Sequence, residues 1–325
     1  MRETIFLKRN GKRWLAAEAF LKKSDSLNPD QLANLFIELT DDLAYAQTNF
    51  PNSKTTKYIN HLSLQIHQAI YLRKKNRKKS PIVFFKTTYP LLIFKNRFKL
   101  LYAFLFFILA ICIGVLSSAD DESFARYILG DYYVNMTIEN IEKGEPLAVY
   151  DKEEPAIMFL KIAWNNIKVS FYAYAAGILI SIGTIILLFN NGLMLGVFQY
   201  FFYTKGLLLA SSLGIWLHGT IEIFSIIVAG AAGLALGNSI LFPGTYSRIH
   251  SLQQGAMDGI KMVMGLIPFF LFAAFIESFV TRHSTYSSII DISIIGFSIL
   301  TIIFYFIIYP ITVNKKHQYE RSKKN

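Results

Sequence analysis

The sequence predicts an all-α fold: a polytopic membrane protein of about six transmembrane helices, preceded by a small cytoplasmic helical domain. Three observations carry that prediction. The 325 residues are 53% hydrophobic with a mean hydropathy of +0.36, and the apolar residues gather into runs of membrane-spanning length, about 20 residues. A soluble core does not need such runs. The net charge of +11 is unevenly placed, with Lys and Arg crowded into residues 1–99 and 315–325, on either side of the apolar part. That is the positive-inside pattern. Finally, ionisable residues inside the runs are few and grouped: His218 and Glu222 in one, Glu277 in another. Each costs roughly 2.5–3.5 kcal/mol to insert, so a partner or a task is expected for it.

Residues 1–80 read as the cytoplasmic domain. Asn28-Pro29-Asp30 is an N-cap, a proline at the first helical position and an acid in the first turn. Leu32, Leu35, Phe36, Leu39 and Leu43 then recur at helical spacing. Phe50-Pro51-Asn52-Ser53 breaks the chain, and a third helix carries Ile59, Leu62, Ile66, Ala69 and Ile70 on one face. A helix around Trp14 to Leu21 completes a three-helix unit. The basic run Arg73 to Lys79 suits anionic lipid heads, at about 1 kcal/mol per basic residue near the surface. No nucleic-acid partner is expected. No cleavable signal peptide is expected either, so the first span acts as the targeting signal.

Residues 81–99 interleave Phe84, Phe85, Tyr89, Phe94 and Phe98 with Lys86, Lys95, Arg97 and Lys99, which predicts an interfacial segment. The transmembrane domain, residues 100–313, is expected to have spans at 100–118, 167–189, 192–212, 214–237, 257–280 and 289–311. Residues 119–166 are acid-rich and read as the extracytoplasmic segment, and 314–325 as a basic cytoplasmic tail. The charge rule then gives a multi-pass protein of the cytoplasmic membrane with both termini in the cytoplasm. Tyr200 to Tyr203 followed by Lys205-Gly206 leaves 192–215 open to being a broken or re-entrant pair.

His218 and Glu222 share a helix face, because i and i+4 residues do. With Glu222 roughly 12 Å below the start of its helix and Glu277 roughly 6 Å below the end of its own, all three can meet at one depth. An interhelical polar clamp, a proton or ion relay, and a docking site for a headgroup or partner helix are the alternatives. Histidine with two carboxylates could bind zinc, but no HExxH motif supports it, so no metal site is expected, and no cofactor. No serine-containing motif accompanies His218, so no enzyme is expected. The single cysteine, Cys112, can form neither an internal disulfide nor a cysteine cage. Gly219, Gly230, Gly233 and Gly237 are read as helix-packing positions. Asn190-Asn191-Gly192, with Gly196 one turn on, is read as a tight cytoplasmic turn.

These stretches together resemble the stage II sporulation protein M family. FLKRNGKRWLAAEAFL (6–21) and LAYAQTNFPNSKTTKYINHLSLQIHQAIY (43–71) resemble the opening of its members, and NNGLMLGVF (190–198), HGTIEIFSIIVAGAAGLALG (218–237) and AFIESFVT (274–281) its membrane part. Leu217 stands where the family pattern has proline before the histidine. The resemblance implies an integral membrane component that organises other proteins. The sporulating member acts in engulfment beside peptidoglycan-degrading partners, whereas the added N-terminal domain points to a broader branch often encoded near MoxR-type ATPases and von Willebrand-type proteins. The expected function is a non-enzymatic scaffold or assembly component of a bacterial envelope complex. Its expected partners are the lipid bilayer, other proteins and a second copy of the chain. The alternative is a transporter or lipid-handling protein that uses the His/Glu/Glu cluster.

Overall fold

The computed structural model describes residues 2–22, 29–76, 80–121, 123–143, 154–281 and 289–323, and no strand occurs among them. The expected cap Asn28, the end of the basic run (Arg77, Lys78, Lys79) and the acids Glu122, Glu145, Asp151 and Glu153 lie outside the described residues. The chain divides into two compact units, Met1–Ser80 and Pro81–Asn325.

The first unit contains α1 (Glu3–Lys22), α2 (Pro29–Asn49) and α3 (Lys54–Asn76). Their apolar stripes meet in one core: Phe6, Trp14 and Ala17 from α1, Leu39 and Ala46 from α2, Ile59, Leu62 and Ile66 from α3. The helix around Trp14 is longer at its N-terminus than the sequence suggested. Trp14 is buried and donates its indole N–H to Asp42 Oδ2 at 2.8 Å, and the Arg13 guanidinium pairs with the same carboxylate. After the break at Pro51, Ser53 Oγ accepts the Thr56 amide at 3.0 Å, satisfying one of the open donors of the first turn of α3.

The second unit opens with α4 (Pro81–Val83), a π-turn (Phe84–Thr88) and α5 (Tyr89–Lys95), so the aromatic and basic lead-in is helical. Next come α6 (Arg97–Asp120), the short α7 (Phe124–Leu129) and α8 (Asp131–Glu142), α9 (Pro155–Ala175), α10 (Ile182–Thr204) and α11 (Leu208–Leu241). The unit closes with α12 (Arg248–Met264), α13 (Ile267–Phe275), a π-turn (Ile276–Val280), α14 (Ile289–Ile302), another π-turn (Ile303–Ile308) and α15 (Tyr309–Ser322).

Among the described residues, five helices are long and apolar enough to cross a membrane: Arg97–Asp120, Ile182–Thr204, Leu208–Leu241, Arg248–Val280 and Ile289–Glu320. Helix α9, its apolar run diluted by Lys161, Asn165, Asn166 and Lys168, is not one of these five and packs against α11. Close contacts fix the directions. Gly192 and Gly196 of α10 abut the backbone at Phe107 and Ile111 of α6, so these two helices run parallel. Asn166 reaches Glu222 and the Ala173 carbonyl faces Gly233, so α9 runs parallel to α11. Leu188 lies on Gly230 and Gln199 bonds Ser212, which makes α10 antiparallel to α11. Ser251 bonds Ser239 near the start of α12, and Glu277 meets His218 beyond α13, so that pass is also antiparallel to α11. Tyr305 and Tyr309 donate to the Phe85 and Lys86 carbonyls, at 2.9 and 3.0 Å. The two ends of this unit therefore lie on one side.

Helix α11 is the axis of the unit. Its run from Val228 to Gly233 is buried, and only small residues could fill it. A Cβ on Gly233 would strike Thr184 Oγ1 and the Ala173 carbonyl, and one on Gly237 would strike Ser181. The outer helices instead show apolar faces, with Leu101, Leu105 and Leu109 of α6 and Ile292, Phe297 and Leu300 of α14 all exposed. A hydrocarbon solvent suits such faces; water does not.

The sequence-based span boundaries need correction in one region. Asn190, Asn191 and Gly192 form no turn; they lie in the middle of α10. The reversals fall at Ile180-Ser181, both with positive φ, and at Gly206, with φ of +71°. Asparagine turn chemistry is defeated because Asn191 Nδ2 donates to the Leu187 carbonyl one turn back, at 2.8 Å, and because Gly192 is used to bring α6 close. The 192–212 stretch is then one unbroken helix to Thr204, a reversal, and the start of α11. The acid-rich 119–166 segment holds α7, α8 and the first half of α9.

Candidate functional site

The polar centre is assembled by three elements. Helix α11 presents His218 and Glu222 on successive turns. The π-turn after α13 presents Glu277, and Thr281 follows directly. A π-turn adds a residue to the helical turn and re-aims its side chains, a device common at functional positions. Helix α9 contributes Asn166. Nitrogen and carboxylate atoms of His218, Glu222 and Glu277 all lie within 4.8 Å of one another. His218 Nε2 stands 3.7 Å from Glu277 Oε1, and its Nδ1 stands 3.4 Å from Thr281 Oγ1. Asn166 Nδ2 donates to Glu222 Oε1 at 2.6 Å. The three sequence-predicted cluster residues are therefore together, with His218 only 5% exposed.

Thr281 Oγ1 donates to the Ile276 carbonyl at 3.3 Å and offers its lone pairs to His218 Nδ1. With Nδ1 as the donor, Nε2 faces Glu277 as an acceptor, and a proton or another cation between the two would satisfy both.

A cavity of about 450 Å³ leads to this centre. Tyr133, Asn165, Asn166, Asn191, His218 and Glu222 supply polar groups to its wall, and the remainder is mostly apolar. A concave apolar surface with a few convergent polar groups is the usual form of a small-molecule site. Asn191 thus joins His218 and Glu222 from a different helix, in a role other than the turn expected for it. Gly219 also lines this cavity. It brings no neighbouring helix close, since a Cβ there would meet only Ile215 and Ile223 of its own helix. Gly230, Gly233 and Gly237 do face neighbouring elements, as do Gly192 and Gly196.

Sequence reasoning missed Asn165, Asn166 and Tyr133, and it met Thr281 only as the last residue of the family-like stretch 274–281. The adjacent asparagines in a largely apolar helix were the available signal, because two neighbouring amides packed among apolar residues need partners. Thr281 had a weaker one, its place four residues after Glu277.

The family model of stage II sporulation protein M matches residues 103–282, which contain the whole cluster and its cavity. A model described as a domain of unknown function (DUF8413) matches residues 4–72, within the first unit. No curated protein and no solved structure gave a match.

Proposed function

The chain belongs to the stage II sporulation protein M family, and from that premise we propose that it is a non-enzymatic assembly component of a bacterial envelope-associated membrane complex. The observation that carries this reading is the division into two units with separate cores: a polytopic helical unit and a three-helix unit built round Trp14. The first unit binds a cytoplasmic partner, and the acid-rich stretch after α6 faces an envelope partner. Both termini are cytoplasmic in this proposal. An affinity pull-down of the detergent-solubilised protein tests it, comparing the full chain with one lacking residues 1–80. A stoichiometric partner that disappears with those residues is the expected result. Recovery of the protein alone from both forms refutes the assembly role.

A second reading, transport or lipid handling, is favoured by one feature: the polar cavity that ends at His218 and Glu222. Buried ionisable groups at the end of a cavity in a membrane protein mark substrate and ion routes. Glu222→Gln separates the readings. An assembly component keeps its partner complex in this variant, whereas a transporter loses function at unchanged abundance.

A further inference from the structure

We propose that His218, Glu222 and Glu277 form an intramembrane site for a divalent transition metal of the zinc class. The proposal stands apart from the assembly role and does not depend on it.

Four observations support the site. The first is distance. Zinc binds imidazole nitrogen and carboxylate oxygen at about 2.0–2.2 Å in tetrahedral geometry, which places ligand atoms roughly 3.3–3.6 Å apart. Nε2 and Glu277 Oε1 are 3.7 Å apart, and the full set lies within 4.8 Å. Closing the set around one ion requires its widest separation to shrink by about 1 Å.

The second is charge. Two carboxylates and a neutral imidazole sum to minus two, and a dication brings the centre to zero. In a low-dielectric interior an uncompensated pair of carboxylates is strongly disfavoured.

The third is orientation. Metal-bound histidine donates its other N–H to an oxygen acceptor, which fixes the ring and its tautomer. Thr281 Oγ1 is that acceptor here, and it is itself committed to the Ile276 carbonyl. With Nδ1 as the donor, the Nε2 lone pair faces Glu277. Asn166 holds Glu222 in the same way, through Oε1, and leaves Oε2 for a metal.

The fourth is access. His218 and Glu222 line the cavity, whereas Glu277 does not. A metal there would have three protein ligands and an open position on the cavity side, available to water or to a ligand oxygen. Histidine among so few ligands disfavours calcium and magnesium, which need shells of six or more oxygens.

The test uses the full-length protein in detergent, stripped with a chelator, dialysed and titrated with zinc against a competing chromophoric chelator. Elemental analysis gives the stoichiometry, and cobalt substitution reports tetrahedral nitrogen and oxygen ligation by its visible absorption. One zinc per chain is expected. The near-isosteric Glu277→Gln should weaken binding at least about 100-fold by removing a ligand, and Asn166→Ala by about 10–100-fold by freeing Glu222. A stripped wild-type protein that takes up no zinc overturns the proposal and leaves protons as the compensating charge. So does zinc uptake that neither variant weakens, which would place the ion on other histidines. If Glu277→Gln fails to fold, the wild-type titration and Asn166→Ala still decide.

Discussion

Asp42→Ala should be among the most damaging single substitutions in the first unit. Its carboxylate accepts the indole N–H of buried Trp14 at 2.8 Å, and the same oxygen pairs with Arg13, whose side chain is 41% exposed. Truncation leaves the indole donor in the core with no acceptor, at about 1–3 kcal/mol. Losing the solvent-screened pair adds about 0–1 kcal/mol. The expected loss is therefore about 1–4 kcal/mol, a large part of the stability of a unit this small. Trp14 is the only tryptophan in residues 1–80, so urea unfolding of that fragment can be followed by its fluorescence. At a slope of about 1 kcal/mol/M, the midpoint should fall by about 1–4 M. Asp42→Asn keeps an oxygen for the indole and should lose less than half as much. A midpoint within about 0.5 M of wild type for Asp42→Ala would refute the claim that this bond anchors the core.

Three further outcomes follow from the same geometry. Gly233→Ala places a methyl group against Thr184 and the Ala173 carbonyl, and should cost about 1–3 kcal/mol as overpacking, read as a lower midpoint of thermal aggregation in detergent. Gly206→Ala meets no atoms but has φ of +71°, so only backbone strain of about 1–2 kcal/mol is expected in the same assay. Burial pushes the Tyr58 phenol above its ordinary range, helped by its bond to Glu18. The unfolded chain then gives up this proton first, so the stability of residues 1–80 should fall as pH rises past about 10. Tyr58→Phe should flatten that alkaline limb in urea titrations at successive pH values.

The helices were legible because burial follows the 3.6-residue period, and His218 and Glu222 were legible because i and i+4 side chains share a face whatever surrounds them. The reversals were not. Ile180 and Ser181 are poor turn residues by local preference, yet they hold positive φ beside Gly177 and Gly237, where backbones meet too closely for a Cβ. Tertiary contact sets that turn, and no local signal encodes it. Asn190-Asn191-Gly192 fails for the converse reason: its turn propensity is real in water, but a membrane helix keeps its hydrogen bonds because nothing else can satisfy them.

The same physics links the corrected boundary to the site. With the reversal at 180–181 and not at 190–192, Asn191 lies within α10 and lines the same cavity as Glu222. Gly192 and Gly196 hold α10 against α6 on the far side, while Leu188 and Thr184 hold it against Gly230 and Gly233. Helix α10 is thus held by neighbours from Thr184 to Gly196, and the cavity opens along its residues Asn191 to Phe198. The small residues and the polar residues of the family's most distinctive stretches are in this way parts of one construction. The glycines set how closely the helices approach, and that spacing determines whether Asn166, Glu222, His218 and Glu277 can converge.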